Sequence, residues 1–160
     1  MGFTTPCFIR KNTPELRKKL EYLGYSHGKP KYYADDDDNK YDFIMCHNGR
    51  FFLLSQENHV IRNGHPLKKH GSINCGTNES LFLAIAALRD DIDKNQWFTD
   101  GDKWIQCPEI KFSTYWAYND IEVDANTIHK ATVNELIELF SQKIQVPQIE
   151  WNINDVINKD

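Results

Sequence analysis

The chain has 160 residues and a formal net charge of -4, and 40% of its residues are hydrophobic and 26% charged. This length and composition predict a single domain, residues 1–160, and exclude an intrinsically disordered chain. The net acidic charge argues against a general nucleic-acid binder, because such proteins neutralise phosphates with a basic face.

No segment reaches the roughly 18 consecutive apolar residues that a membrane-spanning helix requires. Residues 1–6 also lack the charged and apolar stretches of a secretion signal. We therefore expect a cytoplasmic protein with no membrane partner. The four cysteines form no Cys-x-x-Cys pair, which predicts reduced and mostly buried thiols.

The first predicted elements are an apolar strand at residues 7–9 and a capped helix. We expect Pro14 at the first helical position and Glu15 in the first turn, where an acidic side chain meets the positive end of the helix dipole. Gly24 is expected to end this helix. Its apolar stripe consists of Leu16, Leu20 and Leu23.

A hairpin is predicted next, at residues 43–54. Asn48-Gly49 lies there between two apolar runs and accepts the positive φ angles of a tight turn. The acidic run at residues 35–38 precedes the hairpin. This run lacks the alternating ligands and the glycine of a calcium loop, so we interpret it as a solvated loop.

The same order of elements then recurs, with a strand at residues 73–75 and a helix capped by Thr77-Asn78-Glu79. Residues 81–88 of that helix are apolar on all sides, which predicts the most buried element. The second hairpin carries Asp100-Gly101, which we interpret as a two-residue turn and not as a metal site.

The recurrence predicts an α+β fold of duplicated strand-helix-hairpin (βαββ) units. The largely antiparallel sheet would have two or three helices on one face. Pseudo-repeat 1 would span about residues 7–55 and pseudo-repeat 2 about residues 72–108. The helices are offset by 65 residues and the hairpin glycines by 52, so an insertion of 13 residues is expected at residues 28–40.

The C-terminal part, about residues 109–160, is predicted to hold a strand, a helix and a tail. Thr132 to Glu135 fit a capping box and mark the start of the helix. Strand candidates are residues 112–118 and 126–129, and the latter would open a third, truncated unit.

Two stretches, residues 74–84 and 96–104, resemble small uncharacterised proteins of anaerobic gut bacteria, which are often associated with phages or mobile elements. Residues 2–9 add to this resemblance. It implies a bacterial cytoplasmic setting and a role in phage or mobile-element biology. It implies no activity and assigns no catalytic or cofactor-binding residue.

Two alternative functions depend on polar residues. His59, His65, His70 and Cys75 offer the nitrogen and sulfur ligands that zinc prefers, although their spacing matches no common zinc site. They are the candidates for a metal-dependent or Cys/His hydrolase. A nucleic-acid-binding accessory protein would use the basic residues Arg10, Lys11, Arg17, Lys18 and Lys19.

The leading hypothesis is a non-enzymatic protein-interaction module without a cofactor, which binds a protein partner or a second copy of itself. Its basis is that every candidate catalytic group has a simpler structural explanation. Aromatic side chains in the second half of the chain would form the contact surface. The candidates are Trp104, Trp116, Tyr118 and Trp151.

Overall fold

The computed structural model describes residues 2–28, 37–55, 71–112 and 126–141. These ranges contain three α-helices and two sheets, of five and three strands, which confirms the predicted α+β class. Within these ranges, no helix is long and apolar enough to cross a membrane.

The helices begin where the sequence predicts them. They are α1 (Pro14–Leu23), α2 (Glu79–Ala86) and α3 (Val133–Ser141), and a 3₁₀ turn lies at Asp38–Lys40. A side chain caps each α-helix by accepting a hydrogen bond from the backbone N–H three residues later. The caps are Thr13 (3.1 Å), Asn78 (3.0 Å) and Thr132 (3.2 Å). Helix α1 ends at Gly24, whose φ of 111° favours glycine.

The strands of the five-stranded sheet are β1 (Cys7–Ile9), β2 (Ser26–His27), β3 (Phe43–His47), β4 (Arg50–Leu54) and β5 (Ile73–Asn74). Their order in the sheet is β2-β4-β3-β1-β5. Its central pairs, β1–β3 and β3–β4, are antiparallel, and the two short edge strands pair in parallel. Asn48 and Gly49 have φ angles of 51° and 78°, which confirms the predicted turn between β3 and β4.

The three-stranded sheet is antiparallel, with β6 (Trp97–Thr99) between β7 (Trp104–Gln106) and β8 (His129–Lys130). Thr99 pairs with Trp104, so four residues connect β6 to β7 and the predicted two-residue turn is wrong. The Asp100 carboxylate accepts hydrogen bonds from the N–H groups of Asp102 (2.9 Å) and Lys103 (2.8 Å). These bonds stabilise a wider loop than a primed turn allows.

The strand pairing does not show an internal duplication. Strand β1 pairs with β3, the first strand of the hairpin that follows it in the chain. Strand β5 instead pairs with β1 in the five-stranded sheet, away from the β6–β7 hairpin that follows it. The position beside β6 is taken by β8, which leads into α3. The repeat boundaries therefore remain a prediction. Other predictions fall wholly or partly outside the described residues: most of the insertion at 28–40, the strand at 112–118 and the tail after residue 141.

Helix α2 forms the centre of the molecule, as its apolar sequence predicts. Its residues from Leu81 to Ala86 are all buried, and it packs against β1, α1 and α3. The sheet residues Cys7, Cys46 and Phe51 are aligned across three strands and share the core with the helices. On the opposite face of this sheet, a second apolar cluster contains Phe8, Phe43, Met45 and Leu54. Helices therefore cover one face, and the strands are apolar on both.

Candidate functional site

The structure describes two of the eight residues that were proposed from the sequence as metal or interaction sites, Trp104 and Cys75. The other six lie outside the described residues: His59, His65, His70, Trp116, Tyr118 and Trp151. Trp104 is half-buried at the start of β7, and Cys75 is buried directly after β5.

Cys75 belongs to a group of three buried thiols. Cys7 contacts both Cys46, its partner across the β1–β3 pair, and Cys75. Burial, and then the contact with Cys46, raise the pKa of Cys7 well above the usual thiol range. The contact with Cys7, and then burial, raise the pKa of Cys75 above the usual thiol range. Cys7 and Cys75 are therefore protonated at neutral pH and are poor nucleophiles.

The tyrosine beside these thiols anchors helix α2. The buried hydroxyl of Tyr25 donates a hydrogen bond to the carbonyl oxygen of Ala86, at 2.7 Å, at the end of the helix. Burial also raises the pKa of Tyr25. A protonated phenol can donate this bond, so at neutral pH the contact joins the residue that precedes β2 to the end of α2.

A candidate site in the described part of the chain is a pocket between the β6–β7 hairpin and helix α3. Its volume is about 160 Å³. The hairpin contributes one wall and the helix contributes the other. The lining residues are Thr99, Gly101 and Trp104 from the hairpin, and Glu135, Glu138 and Leu139 from the helix.

A row of aromatic rings holds the indole of Trp104 in place. Trp97, which is 1% exposed, meets Trp104 edge to face, with ring centroids 6.5 Å apart. Trp97 also makes an edge-to-face contact with Phe140 of α3, with ring centroids 5.7 Å apart. Because Trp97 is fully packed in the core, it fixes the position of Trp104 at the pocket before any ligand arrives.

Comparison of the chain with models of protein families, with curated proteins and with solved structures finds no match. The resemblance to small proteins of anaerobic gut bacteria therefore remains a prediction.

The helix wall of the pocket begins with a reciprocal cap. The N–H of Thr132 donates to the carboxylate of Glu135 (3.0 Å), and the N–H of Glu135 donates to the hydroxyl of Thr132 (3.2 Å). These bonds confirm the predicted capping box. They also fix the Glu135 carboxylate at the edge of the pocket.

His129 binds the same carboxylate from β8. Its Nε2 lies 3.0 Å from Glu135 Oε1, and its Nδ1 lies 2.9 Å from the carbonyl oxygen of Thr127. Both partners only accept hydrogen bonds, so both bonds form only when the imidazole carries two protons. These contacts, first the Thr127 carbonyl and then Glu135, raise the pKa of His129. Burial opposes the ionisation of Glu135, but the Thr132 and His129 contacts outweigh it and lower the Glu135 pKa.

We expect nuclear magnetic resonance (NMR) titration to give His129 a pKa above the usual 6.5. In Glu135→Gln the value should fall towards 6.5. Because the folded-state pKa is raised, the pair stabilises the fold fully below pH 6.5, and this contribution is lost as the pH rises through the folded pKa. Since the His129 side chain is 47% exposed, the contribution should stay below about 1 kcal/mol.

Glu138→Gln, one turn further along α3, is the matched control and should leave the His129 pKa unchanged. An unchanged pKa in Glu135→Gln would contradict the assignment.

The basic residues that suggested nucleic-acid binding are largely committed to contacts within the fold. Lys11 and Lys19 both donate to the Glu79 carboxylate at the start of α2, at 2.6 and 2.9 Å. Arg17 donates to the side chains of Asn12 and Asn39. A phosphate backbone would have to displace these partners, so the arrangement favours a structural role for this basic face.

Sequence reasoning identified Trp104 but missed the helix wall of the pocket. Glu135 was identified only as a capping residue, and Glu138 was not singled out. Their spacing of three residues, with Leu139 following, does place them on neighbouring parts of one helix face. That signal shows a shared face, but it does not show that the β6–β7 hairpin lies opposite.

Proposed function

We propose that this protein is a non-catalytic binding module, and that the pocket between the β6–β7 hairpin and α3 takes up one side chain of a protein partner. The observation that carries this proposal is the half-buried indole of Trp104 in a pocket of about 160 Å³. Tryptophan is enriched among the residues that dominate binding energy at protein interfaces. A tryptophan already held by Trp97 loses little conformational entropy on binding.

The volume of the pocket supports a single side chain as its occupant. Sites for cofactors and drug-sized ligands usually measure about 300–1,000 Å³. A cavity of about 150 Å³ holds a molecule the size of benzene. One large side chain inserted from a partner surface therefore fits the pocket better than a free cofactor does.

The chemistry of the described cysteines and of Glu135 favours binding over catalysis. The pKa of Cys7 and Cys75 is raised, and burial raises that of Cys107 to about 11, so these thiols stay protonated. Glu135 stays ionised, which suits an acceptor and not a general acid. In the parts of the chain that the structure describes, no group of three or more His, Cys, Asp or Glu side chains could hold a metal ion. The hydrolase that would use His59, His65, His70 and Cys75 remains the alternative prediction.

The proposal is tested with variants in affinity capture from the source organism, followed by binding measurements on each purified partner. Trp104→Ala should weaken the affinity for a partner that uses the pocket by about thirtyfold or more, equivalent to roughly 2 kcal/mol of binding free energy. Tyr22→Ala, which removes a half-buried aromatic ring from α1, is the matched control and should bind normally. Circular dichroism checks that both variants fold.

Analytical ultracentrifugation of the wild type and Trp104→Ala covers the case in which the partner is a second copy of the chain. A self-associating wild type should become monomeric in Trp104→Ala. If the wild type is a strict monomer and every captured partner binds Trp104→Ala with unchanged affinity, the proposal is wrong.

A further inference from the structure

We propose that the side chain bound in this pocket is basic, and that an arginine of the partner is the preferred occupant. This inference rests on the proposed binding function and specifies its chemistry. It follows from three features of the pocket: the Glu138 carboxylate of its helix wall, the indole of Trp104 in its hairpin wall, and the absence of lysine and arginine from the described residues that line it.

The helix wall presents two carboxylates one turn apart. Glu135 is kept ionised by the hydrogen bond from Thr132 and by His129, which also balances its charge. Glu138 is exposed, and its carboxylate has no ionic partner among the residues in the described ranges. Glu138 is therefore the group available to pair with an incoming cation, whereas the charge of Glu135 is already paired with His129.

The hairpin wall supplies a surface on which a planar cation can stack. Tryptophan has the most favourable aromatic face for cations, and guanidinium groups stack on such faces more often than ammonium groups do. Trp104 lies opposite the two glutamates across the pocket. An arginine that enters between the two walls would have the indole on one side and a carboxylate on the other. The volume of about 160 Å³ accommodates one such side chain.

Neutral and anionic occupants fit this pocket less well. An anion would approach the Glu138 carboxylate, and none of the described lining residues is a lysine or arginine. An aliphatic side chain could contact Trp104 and Leu139, but it would desolvate Glu138 without a compensating partner. The combination of charges therefore selects a basic side chain, and the planar fork of arginine matches both a carboxylate and an indole.

The test is an NMR titration of the full chain with N-acetyl-arginine amide and its neutral isostere N-acetyl-citrulline amide, at matched ionic strength. The arginine compound should produce saturable shifts in the Trp104 indole N–H and the Gly101 amide. The citrulline compound should bind about tenfold more weakly. Trp104→Phe identifies the indole signal.

Charge variants then locate the cation. Glu138→Gln should weaken binding of the arginine compound about fivefold to tenfold, whereas Glu21→Gln, an exposed helical glutamate on α1, should have no effect. Equal binding of the two compounds, no saturable shift with either, or equal effects of the two variants would overturn the inference. The proposed function would survive any of these results if Trp104→Ala still loses partner binding, so the two failures are distinguishable.

Discussion

Replacing Phe82 by alanine is expected to lower the free energy of unfolding by about 3–5 kcal/mol. Phe82 is 0% exposed in the middle of α2, the helix that packs against β1, α1 and α3. Truncation therefore removes contacts to several elements at once and leaves a cavity that they cannot all close. Urea denaturation followed by circular dichroism measures the loss.

Phe52→Ala is the matched control for this variant. Phe52 is a half-buried phenylalanine on β4, in the apolar cluster on the opposite face of the five-stranded sheet. The same truncation there should cost roughly half as much, because less apolar area returns to water. Equal losses in the two variants would contradict the central position of α2.

The second large effect is expected at Gln96, which is 0% exposed just before β6. Its amide nitrogen donates to the backbone carbonyls of Arg89 (3.1 Å) and Ile92. In Gln96→Glu an ionised carboxylate would face two carbonyl oxygens in a buried site. We expect a loss of about 3–5 kcal/mol at neutral pH, the usual result of leaving a buried charge uncompensated.

The pH dependence identifies the cause of this loss. Below the ordinary glutamate pKa of about 4.3, the new carboxyl group is protonated and its O–H can donate to one of the carbonyls. Burial should raise its folded-state pKa. The variant should therefore be closest to the wild type at low pH and lose relative stability as the pH rises through that value.

Gln96→Met provides the neutral control at similar size. It leaves the Arg89 and Ile92 carbonyls without their donor, which should cost about 1–3 kcal/mol at every pH. Stability relative to the wild type is measured by urea denaturation at several pH values from 4 to 8. A loss in Gln96→Glu that is the same at each pH would rule out the buried charge as its cause.

Much of the local structure could be predicted because its determinants lie within a few residues of each other. The cap of α3 depends on Thr132 and Glu135, which are three positions apart and bind each other directly. The β3–β4 turn depends on Asn48 and Gly49, which accept positive φ angles at little cost. Asp100-Gly101 shows the limit of this reasoning, because the Asp100 side chain bonds to the next N–H groups and widens the loop.

The candidate site was predictable only in part. Trp104 was proposed from the sequence as an interaction residue, and the structure places it in the lining of the pocket. The role of Glu138 depends on the hairpin that lies opposite α3, which no local pattern encodes. The bond between His129 and Glu135 likewise requires β8 to pair with β6, so that strand and helix meet at this corner.

The sequence by itself determined where each helix begins, which helix is most buried and where the first hairpin turns. These features arise from hydrogen bonds and apolar periodicity within about one or two helical turns. The tertiary structure alone decided that β5 joins β1, that β8 joins β6, and that the β6–β7 hairpin and α3 enclose a pocket. Several short strands of similar composition could pair in more than one way. Which pairs form depends on how all the helices and sheets bury their apolar faces together.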